Sequence, residues 1–425
     1  MLKRRDIIQI LIIFTLAVVP LVFLPIGQDN FFTPPKLFVL RLIVITYLFW
    51  IFKYRDKVKD IISTDWINRI LILYLAWLSF STIFSIDVAQ SVLGNPYRHE
   101  GLTTILIYFV IFLIARQQGT ISKKNIHFML ITGCIVVTYG ILQSYGLEFF
   151  PRDYIRENWT YPFSTIGNPN FLGTYIVLLL PFAVHFYIIE KKNIGLIIYA
   201  ILFYGLLTTM TRGTWIGAFA SVLIYFSIMF HHRNKVTIRI KDIFLFGLVS
   251  LACLLVFDIS NNGRLFLRLL SITLDIRKIL TGGENLLLAG TNRVFIWLKV
   301  VELIKMRPIF GFGIDNLYLA FEQYFYQDIL KVLGRPLIID RAHNEYLHIV
   351  VSSGFPALVL YLSFITLVVR KGVAQLLELP YAIPLLVAVI GYLIQAFFNI
   401  SVVAVAPIFW VFLGFLASSK PIETE

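Results

Sequence analysis

Apolar runs about as long as a bilayer core, which takes roughly 20 helical residues, alternate along this chain with short polar turns. They fall at about 7–25, 37–53, 67–86, 101–116, 126–147, 170–190, 194–211, 213–231, 243–258, 344–369, 380–398 and 400–418. The pattern predicts an all-α polytopic membrane protein of about 12 transmembrane helices. Pro20, Pro25, Pro181 and Pro384 lie in or near these runs, where neighbouring helices can re-satisfy the backbone. One long polar interval, 259–342, breaks the alternation and is large enough to form a structured cap. It divides the chain into 1–258 with spans one to nine, the 259–342 loop, and 343–425 with spans ten to twelve, all within one integral domain.

Three helices are expected inside the loop. Arg264–Leu280 has Leu265, Leu269, Ile272, Ile276 and Ile279 at helical spacing, set against Arg268, Asp275 and Arg277. That pattern predicts a helix lying along the membrane surface. Thr291–Met306 is expected to place Val294, Trp297, Val301 and Ile304 on one face and to stop before Pro308, since the residue before proline avoids the helical region. Gly311-Phe312-Gly313 turns the chain, and Asn316–Leu333 forms the third helix. The glycine pair is too sparse for a nucleotide loop, and the strand such a motif needs is absent.

Composition supports the membrane class. Hydrophobic residues make up 58% and charged ones 14%, with a mean hydropathy of +0.81; soluble domains are about a quarter charged. The net charge of +13, from 37 basic against 24 acidic residues, does not call for nucleic acid, because many basic residues sit in alternate short turns. By the positive-inside rule, the turns holding Lys3/Arg4/Arg5, Lys53–Lys59, Lys123/Lys124, Lys191/Lys192, Arg233–Lys241 and Arg370/Lys371 are cytoplasmic. Both termini are then cytoplasmic and the 259–342 loop is outside. The first apolar run follows a basic start without a small-residue cleavage site and is expected to stay as an uncleaved span. Cys134 and Cys253 fall within spans and indicate no disulfide framework.

Candidate chemistry gathers on the outer side. Arg264, Arg268, Arg277, Lys278, Arg293, Arg307, Arg335 and Arg341 lie in the loop, and His343 stands where it enters span ten. Arg212, at the outer boundary of span eight, either snorkels to the interface or contacts phosphate, whose oxygens match a guanidinium fork. His343 is the candidate base; opening a helix, it would feel a dipole that favours neutral imidazole. A plain capping run, with His343 merely interfacial, explains the same residues without chemistry. His99 is a second outer histidine, and His348 reads as packed. Glu345 either orients a neighbour or pairs with Arg341.

Three motifs resemble the O-antigen ligase and polymerase superfamily of bacterial envelope glycosyltransferases. They are Thr211-Arg212-Gly213-Thr214-Trp215-Ile216-Gly217; Asn292-Arg293 followed by Trp297 and Gly311-Phe312-Gly313; and Ala342-His343-Asn344-Glu345-Tyr346-Leu347, continuing to Ser353-Gly354-Phe355-Pro356. The overlap covers roughly 205–365. The resemblance implies a fold similar to C-type membrane glycosyltransferases in the bacterial cytoplasmic (inner) membrane. It implies transfer of a glycan from undecaprenyl diphosphate to an acceptor sugar hydroxyl, lipid A-core or another glycan. It puts the essential arginines at Arg212 and Arg293 and the essential histidine at His343. Arg341 is taken as a further diphosphate ligand, with Asn344, Glu345 and Arg98 in support.

Such a reaction must deprotonate the acceptor and stabilise the leaving diphosphate. Asp315, Asp328 and Asp340 are scattered and no Asp-x-Asp pair is present, so charge neutralisation is assigned to arginine, without metal or other cofactor. Activity should therefore survive chelation. A repeat-unit polymerase of the same superfamily is the nearer alternative, needing the same groups. A 12-span lipid or solute transporter is the more distant one; it would show internal repeats and mid-depth polar residues.

Overall fold

The computed structural model describes residues 4–24, 31–54, 65–150, 161–234, 238–282, 284–287, 290–379 and 381–418. All regular structure among them is helical, as befits a polytopic membrane protein. Among the described residues, seven helices are long and apolar enough to cross a bilayer: Thr33–Lys53, Trp66–Ile83, Lys123–Ser144, Pro169–Ile188, Arg212–His231, Ile240–Ser260 and Glu345–Ala374. Shorter apolar helices at Asp6–Leu21, Leu102–Gln118, Asn193–Thr208, Ala382–Ala396 and Ala406–Leu416 occupy the remaining expected spans. Pro25 lies outside the described residues.

Helix hydrophobicity all round predicts burial on every side, and the centre of the bundle obeys this. The Pro169–Ile188 window is 94% buried, whereas Ile240–Ser260 is 11% buried and stands at the edge. The central helix packs against Asn193–Thr208 and Ala382–Ala396, and the latter also carries Arg212–His231. Gly213 makes that last contact close, because a β-carbon there would come within 2.7 Å of the Phe398 Cβ. Trp215 then donates its indole N–H to the Leu206 carbonyl at 3.0 Å, closing the turn that presents Arg212.

Glu345–Ala374 is two helices joined at a break. Gly354 has φ +82°, and a β-carbon there would lie 1.7 Å from the Ile309 carbonyl oxygen. The break frees carbonyls, and the 308–313 turn recaptures them. Phe312 N–H donates to Val351 O at 2.8 Å, and Gly313 N–H donates to Ser352 O at 2.9 Å. Freed backbone groups at a break must find partners, so the Gly311-Phe312-Gly313 and Ser353-Gly354 motifs are two sides of one crossing.

The three loop helices are present as Arg264–Thr281, Arg293–Met306 and Leu317–Leu333, but their faces need correction. The Arg293–Met306 helix buries Phe295, Ile296, Val300, Leu303 and Ile304 against Leu317, Phe321 and Phe325. Val301 is exposed, so only part of the expected stripe faces inward. The Arg264–Thr281 helix departs further. Leu269 and Ile276 are exposed together with Phe266, Leu267, Leu270, Leu274 and Leu280, while the polar Arg268, Ser271 and Asp275 are half-buried.

Candidate functional site

The run Asp340–Asn344 is fixed at nearly every residue except one. Asp340 accepts from Arg98 Nε at 2.6 Å, and the Arg98 guanidinium also lies over the Phe171 ring. Arg341 is buried and its Nη2 meets Asp315 Oδ1 at 2.8 Å. The Ala342 carbonyl accepts from the Trp297 indole at 2.9 Å. Asn344 caps the following helix, its Oδ1 accepting from Leu347 N–H at 3.0 Å. His343 stands between these anchors with φ +50°, a left-handed conformation that non-glycine residues seldom adopt, though His does more often than most.

The helix opens at Glu345 with Asn344 as its cap, so His343 precedes the helix rather than beginning it. Its pKa is lowered to about 4, chiefly by burial and then by the charge of Arg293, with Arg98 and Arg341 adding and Asp340 opposing. The helix dipole is therefore not needed to keep this imidazole neutral.

Arg293 is the first residue of its helix, delivered by Gly290, Thr291 and Asn292, all with positive φ. One turn on, Trp297 holds Ala342, and this sets the His343 backbone beside Arg293. Burial and the neighbouring charges of Arg212 and Arg268 lower the Arg293 pKa to about 10. Arg268 is shifted downward as well, by burial and then by Arg212. Arg212 Nη1 lies 2.6 Å from Asp275 Oδ2 and 3.4 Å from Ser271 Oγ, and Arg268 Nε donates to the Met210 carbonyl at 3.0 Å. Three mutually repelling guanidiniums thus share one region with a single carboxylate among these contacts, an arrangement suited to an anion.

Of the residues expected from sequence, Arg212, Arg293 and His343 form one electrostatically linked group, with Arg98 and Asp340 at its rim. Arg341 takes a different place. Its guanidinium is shared among Asp315, Glu100 Oε2 at 3.5 Å and His348 Nε2 at 2.7 Å. Because arginine only donates, His348 accepts at Nε2 and carries its proton on Nδ1. Asp315 also accepts from Asn95 N–H at 2.7 Å and its side-chain amide at 3.0 Å, tying the 94–100 turn to the loop.

Glu345 does not pair with Arg341; it accepts from Tyr361 and Tyr392 at 3.3 and 3.0 Å. Arg341, Glu345 and His348 line a cavity of about 100 Å³ together with Glu100, Tyr108 and Ser352, room for several water molecules. His99 is also half-buried, and its pKa is lowered by burial. The sequence reading counts Arg268 among the loop's basic residues, puts Arg268 and Asp275 on a surface helix, and gives neither a role of its own at the site. Their spacing with Ser271, at i, i+3 and i+7, was the available signal that one polar stripe of that helix faces the protein.

Residues 197–362 match the family model described as O-antigen ligase. The match contains Arg212, Arg268, Arg293, Arg341 and His343. No curated protein gives a significant match.

Proposed function

We propose, from the match of residues 197–362 to the O-antigen ligase family model, that this chain is a glycosyltransferase acting on a lipid-linked glycan at the outer face of the bacterial cytoplasmic membrane. The donor is a glycan on undecaprenyl diphosphate, and the acceptor is a sugar hydroxyl on lipid A-core or another glycan. Both termini would be cytoplasmic, and the chain would act as one integral unit of the two span groups, 1–258 and 343–425, with the 259–342 loop between them.

In this reading neutral His343 takes the proton of the acceptor hydroxyl. The acceptor oxygen bonds to the anomeric carbon as the bond from that carbon to the diphosphate oxygen breaks. Charge growing on the departing diphosphate is met by Arg212 and Arg293, whose planar forks bind phosphate oxygens in pairs. Arg98 holds Asp340 and Asn344 caps the helix, which steadies His343 from both sides. Arg341 then belongs to the scaffold beneath His343 rather than to the diphosphate contacts, and Glu345 to the tyrosine pair. The observation that carries this reading is the Trp297–Ala342 hydrogen bond, which brings the His343 segment onto the helix that begins with Arg293.

Reconstitution with lipid-linked repeat units tests it. Transfer that appears only when a separate acceptor is supplied supports the ligase. A ladder built on the lipid carrier without added acceptor makes the enzyme a polymerase of the same superfamily, and release of intact donor across the bilayer without transfer removes the enzymatic reading.

A further inference from the structure

We propose that Arg268 is a third diphosphate ligand and that Asp275 is the residue that positions it. This rests on the reading of Arg212 and Arg293 as donor ligands.

The Arg264–Thr281 helix is held to the protein by its polar side. Among its described apolar residues only Leu265 is buried, against Leu207, Met210 and Phe257; seven others are exposed, the disposition of a helix whose apolar side faces lipid. Gly263 and Gly282 flank it with φ of +73° and +67°. Beyond Leu265, its contacts with the Arg212 turn run through Arg268 to the Met210 carbonyl and through Ser271 and Asp275 to Arg212. Arg268 and Asp275 are seven residues apart, two turns along one stripe.

Arg268 brings a second positive charge towards Arg212, and the two repel. Asp275 offsets this: its carboxylate takes Arg212 Nη1 at 2.6 Å, with both side chains mostly shielded from solvent. The carboxylate thus clasps the loop helix to the start of the Arg212–His231 helix. The same clasp keeps Arg268 close enough for its charge, with that of Arg212, to lower the Arg293 pKa. Three arginines and Asp275 leave a net of two positives and Lys278, 3.8 Å from Asp275 Oδ1, adds a third, so the cluster keeps an excess of positive charge for the two ionised oxygens of a sugar–diphosphate–lipid diester. Asp275 is therefore part of the charge balance and stays in place when the donor binds.

The test uses the full chain in nanodiscs, with donor KM and kcat measured for the lipid-linked glycan and inorganic pyrophosphate as a competitive probe. Asp275→Asn and Arg268→Ala should each raise donor KM and weaken pyrophosphate inhibition by about tenfold, with kcat falling as well, because the same ligand meets the charge on the departing diphosphate. The double variant should lose less than the sum of the two single losses, because Asp275 acts in part by holding the Arg268 helix in place and in part through its own contact with Arg212, and Asp275→Glu should restore wild-type behaviour. Tighter pyrophosphate binding in Asp275→Asn would make Asp275 a competitor of the donor and overturn the inference. Additive losses in the double variant, or a loss of kcat alone, overturn it equally. Should Arg212→Ala and Arg293→Ala also leave donor KM untouched, the donor reading itself fails, whichever way Asp275 behaves.

Discussion

His343 shows how environment sets a residue's chemistry. An ordinary histidine is half protonated near pH 6.5, whereas burial and Arg293 bring this one to about 4. A base works in its deprotonated form, so lowering its pKa extends the active range towards acid. Transfer by the unaltered enzyme should stay level from neutral pH to about 5 and fall with a midpoint near 4; a midpoint near 6.5 in a pH–rate profile would mean an exposed, unperturbed imidazole. Arg212 and Arg293 carry a different demand. Lysine keeps the charge but loses the planar fork, so Arg212→Lys and Arg293→Lys should each raise donor KM by about tenfold or more, and steady-state kinetics with lipid-linked donor would show it. That Arg212, Arg293 and His343 belong to one region was legible in the sequence, because each sits in a short motif at a helix end. The fate of Arg341 was not: its partner Glu100 lies 241 positions away, and nothing local distinguishes a guanidinium bound for phosphate from one bound for a buried carboxylate.

At the scale of elements, the expected helices correspond closely to the observed ones, because hydropathy over a span-length window reports burial in lipid or protein alike. Hydropathy fails where a helix turns its polar side to the protein, as Arg264–Thr281 does, and where one apolar run hides a break, as at Gly354. That break is structural in origin and should be intolerant. Gly354→Ala places a β-carbon against Ile309 O at a left-handed φ, costing at least about 3 kcal/mol, which thermal unfolding in detergent would register. The Trp297 contact is subtler. Trp297→Phe keeps the ring packed near Phe397 but deletes the hydrogen bond to Ala342. We expect kcat to drop about tenfold or more from the loosened His343 segment, with donor KM and thermal stability preserved. A fall in stability with unchanged kcat would assign that indole to packing alone.

For the whole molecule, the bundle supplies a rigid, apolar frame around Pro169–Ile188, and the site is built where the frame's ends meet the loop helices. The reading requires that end to face outward, as the basic bias of the opposite turns predicts. A reporter fused at Gly282 should be reached from outside the cell, and access only from the cytoplasm would remove the site from its substrate. The central claim, that His343 is the base beside a diphosphate held by arginine, is tested most directly by His343→Ala in reconstituted transfer, with donor binding measured alongside. The variant should bind lipid-linked donor as the unaltered protein does and transfer it at least about 10²-fold more slowly, the smallest loss expected of a positioned base. Retention of more than about a tenth of the rate would contradict the claim and send the proton elsewhere.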